Sequence, residues 1–170
     1  MRRILLVIFV SILGTVTVCA QDADSLHIKS SSISVDSLIV RLNTLQHNYD
    51  FLYCDYELHK VSTELSEFSN TTNISSNSIL INYYNSGFDR DLYSTYLGLY
   101  NAKTENLKAL KEKIGITTLS ILDKMLSSNF TEKEIAVIEN RFKLIESQMS
   151  TAEKALNYFE VVLDIYRKAK

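Results

Sequence analysis

Apolar residues recur every three or four positions along most of the chain, the spacing of a helix that buries one face. The most regular run lies near the C-terminus and extends over more than four heptads: Ile135, Ile138, Phe142, Ile145, Met149, Ala152, Leu156, Phe159, Leu163 and Tyr166. Ahead of it, Thr131 and Glu134 have the spacing of a capping box, with Phe130 and Ile135 placed as a hydrophobic staple. This pattern predicts a coiled-coil-like helix from about 131 to 168.

A first helix is predicted from about 34 to 69, where one apolar stripe gives way to another. The first stripe is Val35, Leu38, Leu42, Leu45, Tyr49, Leu52 and Tyr56, and the second is Phe51, Cys54, Leu58, Val61, Leu65 and Phe68. Because the apolar seam moves round the helix near residues 51–56, we expect this helix to contact two neighbours. Two neighbours alone can still leave part of the two stripes uncovered.

The segment 69–78 consists almost entirely of Ser, Thr and Asn. Short polar side chains compete for backbone hydrogen bonds, so this segment predicts a loop. A middle helix then follows from about 78 to 114, with Gly87 as a possible interruption and Asp89 as the cap of a restart. Gly115, which follows several lysines, predicts the end of this helix. A short helix is expected from about 118 to 128.

The predicted fold is all-α: an antiparallel bundle of three long helices, each of about 35 to 40 residues, plus one short helix, in a domain covering 34–170. The chain contains no Pro and only 4 Gly. Turn-rich β-sandwiches need those residues for their turns, so an all-β fold is excluded.

The N-terminus has the organisation of a secretory signal peptide. Arg2 and Arg3 precede an uncharged apolar run from Ile4 to Val18 that is too short for a comfortable membrane span. We predict a signal peptide at 1–20 with cleavage after Ala20, a flexible leader at 21–33, and export to the periplasm, the cell surface or the medium. The alternatives are an uncleaved N-terminal anchor and a lipoprotein attached through Cys19.

The charge of the chain indicates which kinds of partner it can bind. The net charge is −2, and loss of Arg2 and Arg3 lowers Lys plus Arg from 18 to 16 against 20 acidic residues, which gives −4. Binding of nucleic acid requires a basic excess, so it is not expected, and neither is membrane insertion after cleavage.

With Cys19 removed, Cys54 has no disulfide partner, and packing alone must stabilise the domain.

Sequence motifs for catalysis, metal binding and cofactor binding are missing, and we predict none of these sites. Cys54 lies on an apolar stripe, where a free cysteine behaves as a small buried hydrophobe. Asp55 and His59 stand one helical turn apart, so an enzymatic or metal-binding bundle that adds carboxylates from other helices is the alternative function.

Tyrosine is the remaining unusual feature, with 10 in the chain and most of them on the first two predicted helices. Buried tyrosines usually find a polar partner for the hydroxyl group, so they can belong to the core with their hydroxyls at its rim. Aromatic side chains are also enriched in recognition surfaces. We predict an interaction or structural protein that acts through its helix surfaces and binds a protein partner or a second copy of itself. Its possible interaction surface is Tyr53, Tyr83, Tyr93 and Tyr100.

Overall fold

The computed structural model describes residues 34 to 168, and all regular secondary structure in this range is helical. Helix α1 spans Val35–Ser86, α2 spans Arg90–Ser127 and α3 spans Glu132–Lys168. The predicted all-α fold with three long helices is confirmed for this part of the chain. The predicted signal peptide and leader lie outside the described residues. The chain consists of two units with a boundary between Leu38 and Ile39, and the bundle is the unit that begins at Ile39.

Contacts between side chains establish the direction of each helix. Along α1 and α2 the residue numbers run in opposite directions, as in the contacts of Asp50 with Lys124, Glu64 with Lys113 and Thr71 with Lys103. Along α1 and α3 they rise together, as in the contacts of His47 with Glu134, Asp55 with Arg141 and Ser66 with Gln148. Helix α2 is therefore antiparallel to both neighbours, and α1 and α3 are parallel to each other.

The core consists of two clusters of buried apolar side chains. One is built on the second predicted stripe of α1 and contains Cys54, Leu58, Val61, Leu65, Phe68, Leu107, Ile121, Ile138, Ile145 and Ala152. The other lies near the turn between α1 and α2 and contains Ile79, Tyr96, Phe159, Val162, Leu163 and Tyr166. The prediction that Cys54 is a buried hydrophobe is confirmed, because its side chain is fully buried.

The predicted loop at 69–78 is wrong, since α1 continues through this segment. Its serines satisfy their hydroxyl groups inside the helix by donating to the carbonyl four residues earlier, as Ser69 does to Leu65 and Ser76 does to Thr72. Thr72 and Ser76 are fully buried, and Ala152 and Ala155 of α3 are buried at the same level of the bundle. Burial of the apolar Phe68 and Ile79 at the two ends of the segment outweighs the weak local preference of these small polar residues for helix.

The predicted helix end at Gly115 and the separate short helix are also wrong. Helix α2 passes through Gly115, which is exposed, and continues to Ser127. A glycine inside a helix costs about 1 kcal/mol relative to alanine. Burial of Leu107 and Ile121 on either side of it stabilises the helix by more than that, at about 1.5 to 3 kcal/mol for each leucine or isoleucine.

The caps predicted at Asp89 and at Thr131 are confirmed, although the middle helix begins at Arg90 and not at about 78. Gly87 follows the end of α1 with a left-handed φ of 72°, and the carboxylate of Asp89 then caps α2 by accepting hydrogen bonds from the backbone N–H groups of Asp91 and Leu92. At α3, the backbone N–H of Thr131 donates to Glu134 Oε2 at 2.8 Å, and the N–H of Glu134 donates to Thr131 Oγ1 at 3.3 Å. The second arrangement is the predicted capping box.

Candidate interaction surface on helix α1

Five large apolar side chains project from the side of α1 that faces away from the core. They are Leu42, Leu45, Tyr49, Leu52 and Tyr56, called here the α1 stripe, and each is between 52% and 65% exposed. Their spacing alternates strictly between three and four residues, as at the a and d positions of a coiled coil. The same stretch of α1 buries Cys54 and Leu58 completely on its opposite side. The α1 stripe thus has the pattern of one half of a coiled-coil seam.

The first turns of α1 within the bundle extend beyond the other two helices. Residues 39–46 are all exposed, including the apolar Ile39 and Val40. Asn43 and Gln46 lie beside the turn at 127–129, and the first hydrogen bond between α1 and another helix in the described residues joins His47 Nε2 to Glu134 Oε1 at 3.0 Å. The α1 stripe therefore begins on a free segment of the helix and continues along the back of the bundle.

A polar network holds the supported half of the stripe in place. The carboxylate of Asp50 accepts hydrogen bonds from Lys124 Nζ at 2.6 Å, Ser128 Oγ at 2.9 Å and Gln46 Nε2 at 3.0 Å. Burial raises the pKa of Asp50, but these hydrogen bonds outweigh burial, so its net pKa lies below the ordinary value. Lys124 Nζ also lies 6.0 Å from the ring centroid of Tyr49, within cation–π range.

A second contact between helices joins α1 to the start of α3. Glu134 accepts hydrogen bonds from the backbone and the hydroxyl group of Thr131, and it also contacts His47. The backbone hydrogen bond, followed by the hydroxyl bond, lowers the pKa of Glu134 and outweighs the opposing effect of burial. The capping box of α3 thereby fixes the point at which α1 enters the bundle.

The four tyrosines predicted as an interaction surface are half-buried and do not form one surface. Tyr53 packs against the cluster that contains Cys54, whereas Tyr83, Tyr93 and Tyr100 pack against the cluster that contains Tyr166. Their role in binding stays a prediction. The tyrosines that are mainly exposed on α1 are others: Tyr49, Tyr56 and Tyr84.

Asp55 and His59, the pair considered for metal binding, have different surroundings. Asp55 Oδ1 accepts a hydrogen bond from Arg141 Nε at 2.8 Å, whereas His59 is exposed. Among residues 34 to 168, no three histidine, cysteine or acidic side chains converge in the way a metal site requires. Burial raises the pKa of the Cys54 thiol, which disfavours the thiolate that nucleophilic chemistry needs.

An open groove of about 450 Å³ runs between α1 and α2. Its polar side chains satisfy one another: Lys113 binds Glu64 at 2.5 Å, and Lys103 donates to Thr71 Oγ1 at 2.6 Å. Lys103 also lies over the ring of Phe68, 5.5 Å from its centroid, and burial lowers the pKa of this lysine. Both lysines of this groove are therefore already paired with side chains that line it.

Comparison with protein-family models, curated proteins and solved structures finds no match for this chain. Within residues 34 to 168, none of the helices has both the length and the apolar character needed to cross a membrane.

The α1 stripe was visible in the sequence, but its outward orientation was not. One signal could have indicated it: in the same heptad phase the stripe continues as His59 and Thr63, both polar and exposed. A neighbour packed along the whole of α1 would meet those polar residues on that face. The second stripe instead continues as leucine and phenylalanine to Phe68, and the core forms on it.

Proposed function

We propose that this protein is an exported interaction protein that binds a protein partner through the α1 stripe. The observation that carries the proposal is the stripe itself, five large side chains in strict coiled-coil spacing on the outer face of α1. Contiguous exposed apolar side chains are unusual on a soluble monomer and mark interaction sites. The sequence supports export through the charged start and apolar run of residues 1–20.

The chemistry of the stripe favours a helical protein surface as its partner. Knobs at a and d positions insert into holes formed by four residues of a facing helix. Nucleic acid lacks such holes, and the net charge of −2 provides no general attraction to phosphate groups.

Site-specific photo-crosslinking in the native cells tests this function. A photoreactive amino acid is placed at Leu52 in the stripe and, as the matched control, at Leu144 on α3, an exposed leucine whose neighbours on that helix face are polar. We expect a protein adduct at Leu52 and little at Leu144. No adduct at Leu52, or equal adducts at both positions, would overturn the proposal. Fractionation of the same cells, with sequencing of the mature N-terminus, tests export and cleavage after Ala20.

A further inference from the structure

We infer that the partner of the α1 stripe is a second copy of this chain, with the two α1 helices packed antiparallel. This inference rests on the proposed function, since it names the occupant of the same surface. Three observations support it: the length of the free part of the stripe, the order of leucine and tyrosine along it, and the charges beside it.

The free and supported parts of the stripe have matching lengths. Residues 39–46 are exposed and extend beyond the ends of α2 and α3, with Asn43 and Gln46 beside the turn at 127–129. Tyr49, Leu52 and Tyr56 lie on the exposed side of the bundle. An antiparallel pair centred between Leu45 and Tyr49 lays the free segment of each copy along the supported segment of the other. A parallel pair would instead join the two free segments to each other and leave both without support from a bundle.

The order of side chains suits the antiparallel arrangement. In antiparallel coiled coils an a position faces a d position, so Tyr49 packs against Leu45 of the second copy and Leu42 against Leu52. Each of the two central layers then pairs one tyrosine with one leucine, and the two outer layers pair leucine with leucine. In a parallel pair Tyr49 would face its own counterpart, and two hydroxyl groups would enter one apolar layer.

Charges at the edge of the seam agree with the same register. Arg41, one residue before Leu42, comes near Asp55 of the second copy, whose Oδ1 already accepts a hydrogen bond from Arg141 of its own chain. The symmetric contact forms at the other end of the same edge of the seam. A twofold pair of this kind is self-complementary, because every contact occurs twice. Opposite charges at these flanking positions select partner and orientation in coiled coils.

The size of the seam determines how firmly the copies associate. The segment 39–56 is about 27 Å long at 1.5 Å per residue. A contact between two helices of that length buries a small area for a protein–protein interface, well below the area buried in an obligate dimer. We therefore expect a reversible dimer that dissociates on dilution.

Sedimentation of the full chain, expressed with its own N-terminal segment, tests self-association over a series of concentrations. We expect the mass to rise from one to two copies with concentration. The double variant Leu45→Lys with Leu52→Lys is expected to weaken association at least tenfold, a loss of about 1.4 kcal/mol or more. The control Val137→Lys with Leu144→Lys, at exposed positions of α3 that have polar neighbours, is expected to leave it unchanged. Circular dichroism verifies that each variant is folded.

Disulfide trapping tests the orientation. Leu45→Cys and Tyr49→Cys are prepared as separate proteins, with the buried Cys54 left in place. Under mild oxidation we expect a covalent dimer when the two variants are mixed and little when either is alone. Rapid self-crosslinking of Leu45→Cys alone would indicate a parallel pair and overturn the antiparallel arrangement.

The outcomes separate this inference from the proposed function. If the chain stays monomeric at every concentration, the inference that a second copy is the partner is wrong. That result includes the case in which residues 21–33 of the same chain cover the stripe. If Leu52 still crosslinks to a different protein, the proposed function stands without the dimer. If the chain is monomeric and Leu52 gives no adduct, both fail. A dimer that persists in the stripe variant but is lost in the α3 control variant also overturns the inference.

Discussion

The hydroxyl oxygen of Tyr166 accepts a hydrogen bond from the backbone N–H of Asp89 at 3.0 Å, across 77 positions of the sequence. Tyr166 lies near the end of α3, and Asp89 is the cap of α2. The ring of Tyr166 also packs against Tyr83, at 5.9 Å between centroids, and against Phe88, at 5.4 Å. The last turns of the chain therefore hold the turn between the first two helices in place.

Replacing Tyr166 with phenylalanine is expected to destabilise the protein by about 1 to 3 kcal/mol, because the N–H of Asp89 loses its acceptor while the ring is retained. Urea unfolding followed by circular dichroism measures the change. Tyr158→Phe is the matched control: Tyr158 is exposed and makes only a 3.4 Å contact with Asn77, so its loss should cost no more than about 0.5 kcal/mol. Equal effects of the two substitutions would contradict a stabilising role for the Tyr166 hydroxyl group.

The three glycines of the described residues differ in what they require of the backbone. Gly98 and Gly115 lie inside α2 with open space around the position of a Cβ atom, whereas Gly87 has a φ of 72°. Substituting alanine at Gly98 or Gly115 is expected to stabilise the protein by about 0.5 to 1 kcal/mol. Gly87→Ala is expected to destabilise it by about 1 to 2 kcal/mol, because the left-handed conformation strains a residue with a Cβ atom.

Thermal and urea unfolding of the three variants and of the native chain measures the change in stability that each substitution causes. If Gly115→Ala were destabilising, α2 would be interrupted at that residue, as the sequence alone predicts. The sign of that single change therefore distinguishes one continuous helix from two.

Local signals in the sequence were reliable where the side chains act on their own backbone. Asp89 and the pair Thr131 and Glu134 cap helices through hydrogen bonds to residues two or three positions away, so no tertiary contact is needed to recognise them. The segment 69–78 could not be predicted in that way. Its polar residues favour a loop locally, and the segment is helical because Phe68 and Ile79, at its two ends, are buried in the two core clusters.

The candidate site illustrates the same limit. Spacing identified both stripes of α1, but choosing the buried one requires knowing where α2 and α3 begin and end along it. Asp50 is an example, because it interrupts an otherwise apolar inner face of α1. Its carboxylate is accommodated there by hydrogen bonds from Lys124 and Ser128, which lie outside α1. Sequence spacing contains no information about such partners.

Thr72 is fully buried, and its hydroxyl oxygen has no hydrogen-bond partner among the described residues. Thr72→Val keeps the shape of the side chain and removes the unsatisfied group, so it is expected to stabilise the protein by about 1 kcal/mol. Thr63→Val is the control, since Thr63 is exposed and its hydroxyl donates to the carbonyl of His59. Urea unfolding should show no stabilisation for that control. Destabilisation by Thr72→Val would indicate that the buried hydroxyl group is bonded after all.

The free energy of unfolding is expected to fall in acid, because Asp50 and Glu134, near the point where α1 meets the other two helices, have lowered pKa values. Asp50 titrates below its ordinary pKa of 3.8 and Glu134 below its ordinary pKa of 4.5. The unfolded chain therefore takes up protons at a higher pH than the folded chain. Their contribution is complete above about pH 5 and is lost as the pH falls through 4.5 and 3.8 towards the folded-state values.

The variant Asp50→Asn separates this contribution from general acid unfolding. At pH 7 it is expected to lose about 1.5 to 3 kcal/mol, because Lys124 loses its charged partner in a site where Asp50 is buried. Between about pH 5 and pH 3 its free energy of unfolding should then decrease less than that of the native chain, since one of the two linked groups no longer titrates. Asp123→Asn, at an exposed position one residue from Lys124, is the control and should reproduce the native pH profile. Urea unfolding at successive pH values measures the difference, and parallel profiles for Asp50→Asn and the native chain would show that Asp50 does not govern acid stability.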